Sequence, residues 1–231
     1  MTSRAHVLDA LGTVHDPELD EPITSLRFVT SCDVSAGGDV DVRLRLPTPQ
    51  CAPNFAFLMA ADARDAVRRL AGVRDVTVVL EDHYTGDEIN GAVGRGEAFA
   101  GAFPGETEGE LDALRELFHR KALVARQSRI CEDLLAGGAT AEAVTALRVA
   151  DLPDDPGARR CLELREHLGI ASDAGAPAFV LPGGVPIAAA ELIHWLRMAR
   201  LVRLSLETNG GICRSLLRIR YGIPDPEEVA A

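Results

Sequence analysis

A single lysine, Lys121, occurs in the chain, and arginine supplies nearly all of its cationic side chains, as in proteins encoded by GC-rich genomes. Aromatic residues are almost as scarce at 4%, so aliphatic side chains and alanine must fill any core. No run of 18 apolar residues occurs, which argues against a membrane-spanning helix. The start, "MTSRAHVLDALG", has neither a long apolar core nor a cleavage site, so no secretory signal is expected. The five cysteines (Cys32, Cys51, Cys131, Cys161 and Cys213) are far apart, odd in number and without a CxxC pair. That excludes a secreted disulfide framework and a self-contained four-cysteine zinc or iron–sulfur site. Positive charge is in deficit as well: the formal net charge is −11, which argues against general nucleic-acid binding. These absences describe a cytoplasmic protein that binds neither nucleic acid nor membrane.

The 231 residues are 47% apolar, enough for one large domain or two small ones. Over the first 84 residues the pattern reads helix, strand, strand, helix, strand. Val7, Leu8 and Leu11 have helical spacing, and Pro17 and Pro22 break the segment that follows. Leu26 to Val34 reads as a strand and "SAGGD" as a turn. Val40, Val42, Leu44 and Leu46 then alternate with Asp41, Arg43 and Arg45, a hairpin with one wet face. Pro53 to Leu70 reads as a helix with proline in its first turn, and "VRDVTVVLE" as a third strand, parallel to the second across that helix. The expected fold class is therefore α+β, a small αββαβ domain over residues 1–90, followed by a mainly α-helical domain over 106–231. The glycine-rich stretch 91–105 reads as the linker between them; its glycines fit neither GxGxxG nor a phosphate loop. In the helical half, Glu108 to Leu135 is a long amphipathic helix and "APAFVLPGGVPI" a small hairpin turning at Gly183 and Gly184. Ala188 to Leu206 is an apolar helix, and Thr208 or Asn209 caps a last one through Arg220.

Cys51 stands where the second strand gives way to a helix, in "LRLPTPQCAPNF". A thiol near a helix N-terminus has its thiolate favoured by the dipole and by free N–H groups, which suits a ligand or a nucleophile; the other reading is a buried cysteine acting as a small hydrophobe. "HDPELDE", His15 to Glu21, concentrates acids in a loop. Asp16 and Glu18 there could ligate a metal, orient a thiol or act as bases, or simply end a helix in a solvated charge cluster. Cys32 reads as core, and Cys131, Cys161 and Cys213 as packing residues on helices. The histidines, His83, His119, His167 and His194 among them, are scattered without an HExxH, and no GxSxG occurs.

Taken together, a DPEL after a short helix, two strands, TP-Q-C opening a helix, and "GV" before a valine-rich strand resemble the small iron–sulfur cluster assembly proteins of the SufT and PaaD type. Asp16, Pro17 and Glu18 match that family's DPE, and Cys51 its cysteine. "LAGVRDVTVVL" matches the segment after its helix, and Tyr84 with Asp87 stand where the family has an aromatic residue and an acid. The chain departs from the pattern at Pro47, with Thr48 adjacent to the expected threonine, and at Ala52, with Pro53 one step late. "SLRFV" replaces "DLGLV", which puts Arg27 at the glycine.

The resemblance covers residues 5 to about 90 and implies an accessory factor, not an enzyme, for the assembly or maturation of an iron–sulfur or other iron-containing client. Cys51 would be the functional thiol, with Asp16, Glu18 and Thr48 beside it. It implies no stably bound cofactor, only iron or an iron–sulfur cluster held transiently by Cys51, Asp16 and Glu18. The implied partners are a client metalloenzyme or the cluster-assembly machinery. Two alternatives stay open: a thiol- or sulfur-transfer enzyme with Cys51 as nucleophile, and a structural partner subunit of an oxygenase. In the second half Arg197, Arg200 and Arg203 recur every third residue, and Arg214 and Arg218 follow. They make a local positive patch, read either as a docking face for an acidic partner or as a rim paired with the chain's own acids. The apolar helix 188–206 is also a candidate homodimer contact.

Overall fold

Ser3 opens the first helix, α1 (Arg4–Leu11), by accepting from the His6 N–H, and the helix buries Val7 and Leu11. The structure, a computed structural model, describes residues 2–105 and 108–222; residues 106–107 and 223–231 of the expected helical half lie outside the described residues. The chain divides into two compact units, Met1–Ala113 with Asn209–Ala231, and Leu114–Thr208.

In the first unit, β1 (Val29–Val34) and β2 (Asp39–Arg45) pair antiparallel, and β2 and β3 (Asp75–Glu81) pair parallel, in the order β1-β2-β3. The alternation predicted from sequence holds: Val40, Val42 and Leu44 of β2 and Val76, Val78 and Leu80 of β3 are buried on one face. The hairpin turns at Gly38, whose φ of 86° brings it so close to Gly72 that an added Cβ would sit 2.4 Å from the Gly72 carbonyl oxygen. Between the parallel strands runs α2 (Pro53–Arg68), which starts at Pro53 because a first-turn residue needs no N–H to donate. It covers the sheet with Leu58, Met59, Ala63 and Val67. Arg27, at the glycine of the resembled pattern, adopts φ 59°, the left-handed region that glycine enters freely. β1 begins after it, at Val29 rather than at Leu26, because Leu26 and Arg27 are held in turns by bonds to the Pro22 and Thr24 carbonyls.

Two expectations are corrected here. The stretch expected as a linker over 91–105 carries helix instead: α3 (Gly86–Arg95) and the single turn α4 (Phe99–Ala102). Ile89, Ala92, Val93, Phe99 and Ala102 are buried in the same core as the sheet, and this apolar periodicity outweighs the glycines. The pair of helices expected around Thr208 and Asn209 is a single helix, α8 (Ala189–Tyr221). Gly210 and Gly211 lie inside it, and its residues from Asn209 onward belong to the first unit.

The second unit contains α5 (Glu108–Ala136) from Leu114 onward, α6 (Ala141–Ala146), α7 (Pro156–His167) and the first part of α8. Its core gathers Leu123, Cys131, Val144, Cys161, Leu164, Phe179 and Leu192. The side chain of Arg165 is buried and donates to the carbonyls of Ala171, Pro177 and Ala178 at 3.2, 2.7 and 2.9 Å, so one guanidinium ties α7 to the loop that follows it. The expected hairpin is a tight turn with one bridge, Val180 to Pro186, and Gly184 at φ 81°. Among the described residues no helix is long and apolar enough to cross a membrane.

Candidate functional site

β2 ends at Arg45, and the chain turns through Pro47, Thr48 and Pro49 before α2 begins. Cys51 lies in that turn, half-buried, with its N–H on the Thr48 carbonyl at 3.3 Å. The Thr48 hydroxyl is 3.6 Å from the Cys51 sulfur and accepts from the Gln50 N–H at 3.2 Å. His83, just after β3, secures the turn from the other side. Thr85 donates its N–H to His83 Nδ1, which leaves Nε2 to carry the proton and donate to the Cys51 carbonyl at 2.8 Å. The exposed Tyr84 is tied to the same turn through its N–H and the Pro49 carbonyl. Two loops, one at the end of each parallel strand, thus fix the backbone of a half-buried cysteine that packs against the first unit's core.

The DPE loop is built around Asp16. This carboxylate is only 8% exposed and accepts from the N–H groups of Glu18 and Leu19 at 2.8 and 2.9 Å. Burial raises its pKa to about 6; the two N–H bonds oppose that rise, and Glu18 and Glu21 add to it. Asp16 is therefore chiefly the brace of its own turn. Glu18 and Glu21 face a different element, the end of α8. Asn209 Nδ2 donates to Glu18 Oε1 at 3.0 Å, and Arg214 Nη1 donates to both oxygens of Glu21 at 3.2 and 3.0 Å.

Cys213, one helical turn beyond Asn209, is by sequence a packing residue. It does pack against the first unit's core, as Cys51 does. It also stands close enough to Asp16, Cys51 and Glu18 for their charges to act on it. Burial first, and then those three groups, push its thiol up to about 12, against the pull of Arg214. The available sequence signal was Gly210 in "NGGIC", a glycine inside an apolar helical pattern. At Gly210 an added Cβ would lie 3.1 Å from Glu21 Oε1. Cys32, Cys131 and Cys161 are buried core residues, as expected. Among the described residues no group of three or more His, Cys, Asp and Glu side chains is arranged to hold a metal ion.

The arginines separate. Arg203 pairs with Glu132 at 2.5 Å, beside Glu207, and Arg214 pairs with Glu21, so both serve the chain's own acids. Arg197 and Arg200 are exposed in the second unit, and Arg218 is exposed in the first.

Comparison with known proteins adds three findings. Residues 4–80 match the profile of a family described as iron–sulfur cluster assembly protein. An uncharacterized protein of Methanocaldococcus jannaschii is 34% identical over 90 residues, which are 39% of this chain and 93% of that protein. An iron–sulfur cluster carrier protein of Deinococcus radiodurans is 38% identical over 73 residues, 31% of this chain but only 20% of the carrier's length.

Proposed function

Because the chain belongs, through its residues 4–80, to the iron–sulfur cluster assembly protein family, we propose that it is an accessory factor that carries iron or an iron–sulfur cluster to a client metalloenzyme. The cargo is held transiently, by Cys51. The observation that carries this reading is the half-buried Cys51 on a turn fixed from both sides, by Thr48 and by His83. Such a thiol can gain and lose a ligand without the fold having to open. A cluster usually takes four protein thiolates, so a protein offering fewer holds it loosely and can surrender it to a client that offers the rest. In this reading Glu18, half-buried on the DPE loop and bonded to Asn209, supplies negative charge for a cationic cargo, while Asp16 keeps the loop in shape.

Client choice falls to the second unit in this reading. Arg197 and Arg200 are exposed on α8 together with Ile193, Met198, Leu201 and Leu204. Arginine set in apolar area is the composition of interface hot spots, and an acidic client face would gain orientation and on-rate from it.

The test is anaerobic transfer. The full chain is loaded with iron and sulfide and mixed with an apo-ferredoxin as acceptor, and holo-ferredoxin is followed by its absorption. Cys51→Ala is expected to lower transfer by at least the ~10-fold that loss of even an outer-shell partner costs a metal site. Transfer at the wild-type rate by Cys51→Ala would overturn the proposal.

A further inference from the structure

The loop after β3 lies just beyond the matched residues 4–80, and three of its residues in a row are tied to three different places. The Asp82 carboxylate accepts from the Tyr221 hydroxyl at 2.5 Å and from Arg220 Nη2 at 3.3 Å, both in the last turn of α8. His83 Nε2 donates to the Cys51 carbonyl at 2.8 Å, and the Tyr84 N–H donates to the Pro49 carbonyl at 3.0 Å. The Tyr221 ring also lies under the guanidinium of Arg45, the last residue of β2, whose Cζ is 4.9 Å from the ring centroid. Arg45 in turn pairs with Glu81, the last residue of β3, at 3.1 Å. All of these residues belong to the first unit. One side chain at the end of α8 thus meets the end of β2 and the first residue after β3, and from those two points start the two loops that hold Cys51.

Asp82 has a φ of 49°, in the left-handed region that residues with a Cβ seldom enter. Two donors on its carboxylate oppose relaxation to negative φ. Relaxation would swing the next residue, His83, away from the Cys51 carbonyl. We propose that Tyr221 is a positioning residue for Cys51, and that the last turn of α8 holds the thiol-bearing turn in place through Asp82 and His83. The proposal rests on the cluster-handling function above and adds how that site is held. A bond that served only to fasten α8 to the sheet could fall on any residue of the strand ends; this one falls on the residue whose backbone aims His83. The brace also comes from outside the stretch that the family profile covers.

The test reads the turn directly, in the full chain. Long-range proton–nitrogen spectra of the imidazoles at about pH 8.5, where they are neutral, should show His83 as a fixed Nε2–H tautomer, its signals being those lost in His83→Gln. Tyr221→Phe removes the hydroxyl bond and keeps the ring under Arg45. In that variant the two tautomers of His83 should average. Alkylation of Cys51 by iodoacetamide, read by peptide mass spectrometry, should quicken roughly 2- to 10-fold, the factor that one hydrogen bond contributes to an equilibrium. Cys32, buried in the same unit, should react as slowly as in the wild type. Asp82→Ala should behave like Tyr221→Phe, and Asp82→Asn, which still offers an oxygen and enters positive φ readily, should restore the wild-type rate. The proposal is overturned by a wild type without a fixed Nε2–H tautomer at His83, by wild-type alkylation of Cys51 in Tyr221→Phe, or by a rise that Cys32 shares equally. None of these readouts involves cargo, so the two readings fail separately. If Tyr221→Phe leaves Cys51 unchanged while Cys51→Ala loses cluster transfer, only the brace falls. If Tyr221→Phe exposes Cys51 while Cys51→Ala still transfers cluster, the carrier function falls and the brace stands.

Discussion

Asp16 is a buried carboxylate that the fold prefers neutral, and that preference has a sign. Below its ordinary value of 3.8, both folded and unfolded chains carry the proton. Between 3.8 and about 6 the unfolded chain releases it first, so the folded state binds more protons and stability falls as pH rises. Above about 6 the loss is complete. Asp16→Asn keeps an oxygen to accept from the Glu18 and Leu19 N–H groups and removes the ionisation. It should stabilise the protein by up to about 3 kcal/mol at about pH 7, and by little at about pH 4, in urea denaturation. A gain that is the same at both pH values would show that burial of the charge is not the cause. The arginines divide at this scale too. Arg203→Glu places a carboxylate against Glu132 and Glu207 and should cost about 1–3 kcal/mol, whereas Arg200→Glu, exposed, should stay within about 0.5 kcal/mol. Client docking is therefore best probed with Arg197→Glu and Arg200→Glu, which should slow association most at low salt while leaving the melting curve in place.

Two backbone positions govern how the strands of the first unit are laid down. Gly38 has φ 86° and has the Gly72 carbonyl where a Cβ would go. Gly38→Ala should destabilise by more than the ~1 kcal/mol of a strained φ alone, because the hairpin must also move away from the turn before β3. Arg27 poses the reverse case, a side chain held at φ 59° in a turn that a glycine would enter without strain. Arg27→Gly should be neutral to stabilising, by about 0–1 kcal/mol, since relieved strain is partly offset by the greater freedom of glycine in the unfolded chain. Equilibrium denaturation of both variants checks the pair, and a clear loss on Arg27→Gly would mean that the arginine side chain holds the turn.

At the scale of the molecule, the first unit is assembled from two separated parts of the chain. Leu217, 2% exposed, belongs to the same core as the sheet and α2. Leu217→Ala should therefore cost about 2–4 kcal/mol in the unfolding of that unit, as for any buried leucine. A fragment ending at residue 113 should melt below the intact protein and recover on addition of a peptide spanning 205–222. A cut at residue 90 would be worse, because it severs α3 just after the buried Ile89. If the fragment melts like the intact protein, residues 209–222 are not part of the first unit's core.

Local pattern was enough for much of this protein. The alternation of Val40, Val42 and Leu44, the proline opening α2 and the placing of Cys51 at a strand-to-helix junction are all written in neighbouring residues. So is the DPE motif on which, with Cys51, the resemblance to the family rests. These features were legible because strand and helix periods, turn residues and caps act over a few positions. The tertiary structure alone decided the rest. The burial that raises Asp16 depends on what closes over its loop, which neighbouring residues do not state. Asn209 meets Glu18 across 191 positions and Arg214 meets Glu21 across 193, so no spacing in the sequence links them. The same distance hid Cys213. On its own helix it is one more apolar position, and only the docking of that helix on the DPE loop brings it within electrostatic reach of Asp16, Cys51 and Glu18. A helix end that completes a distant domain leaves almost no local trace, apart here from Gly210, where an added Cβ would lie 3.1 Å from Glu21 Oε1.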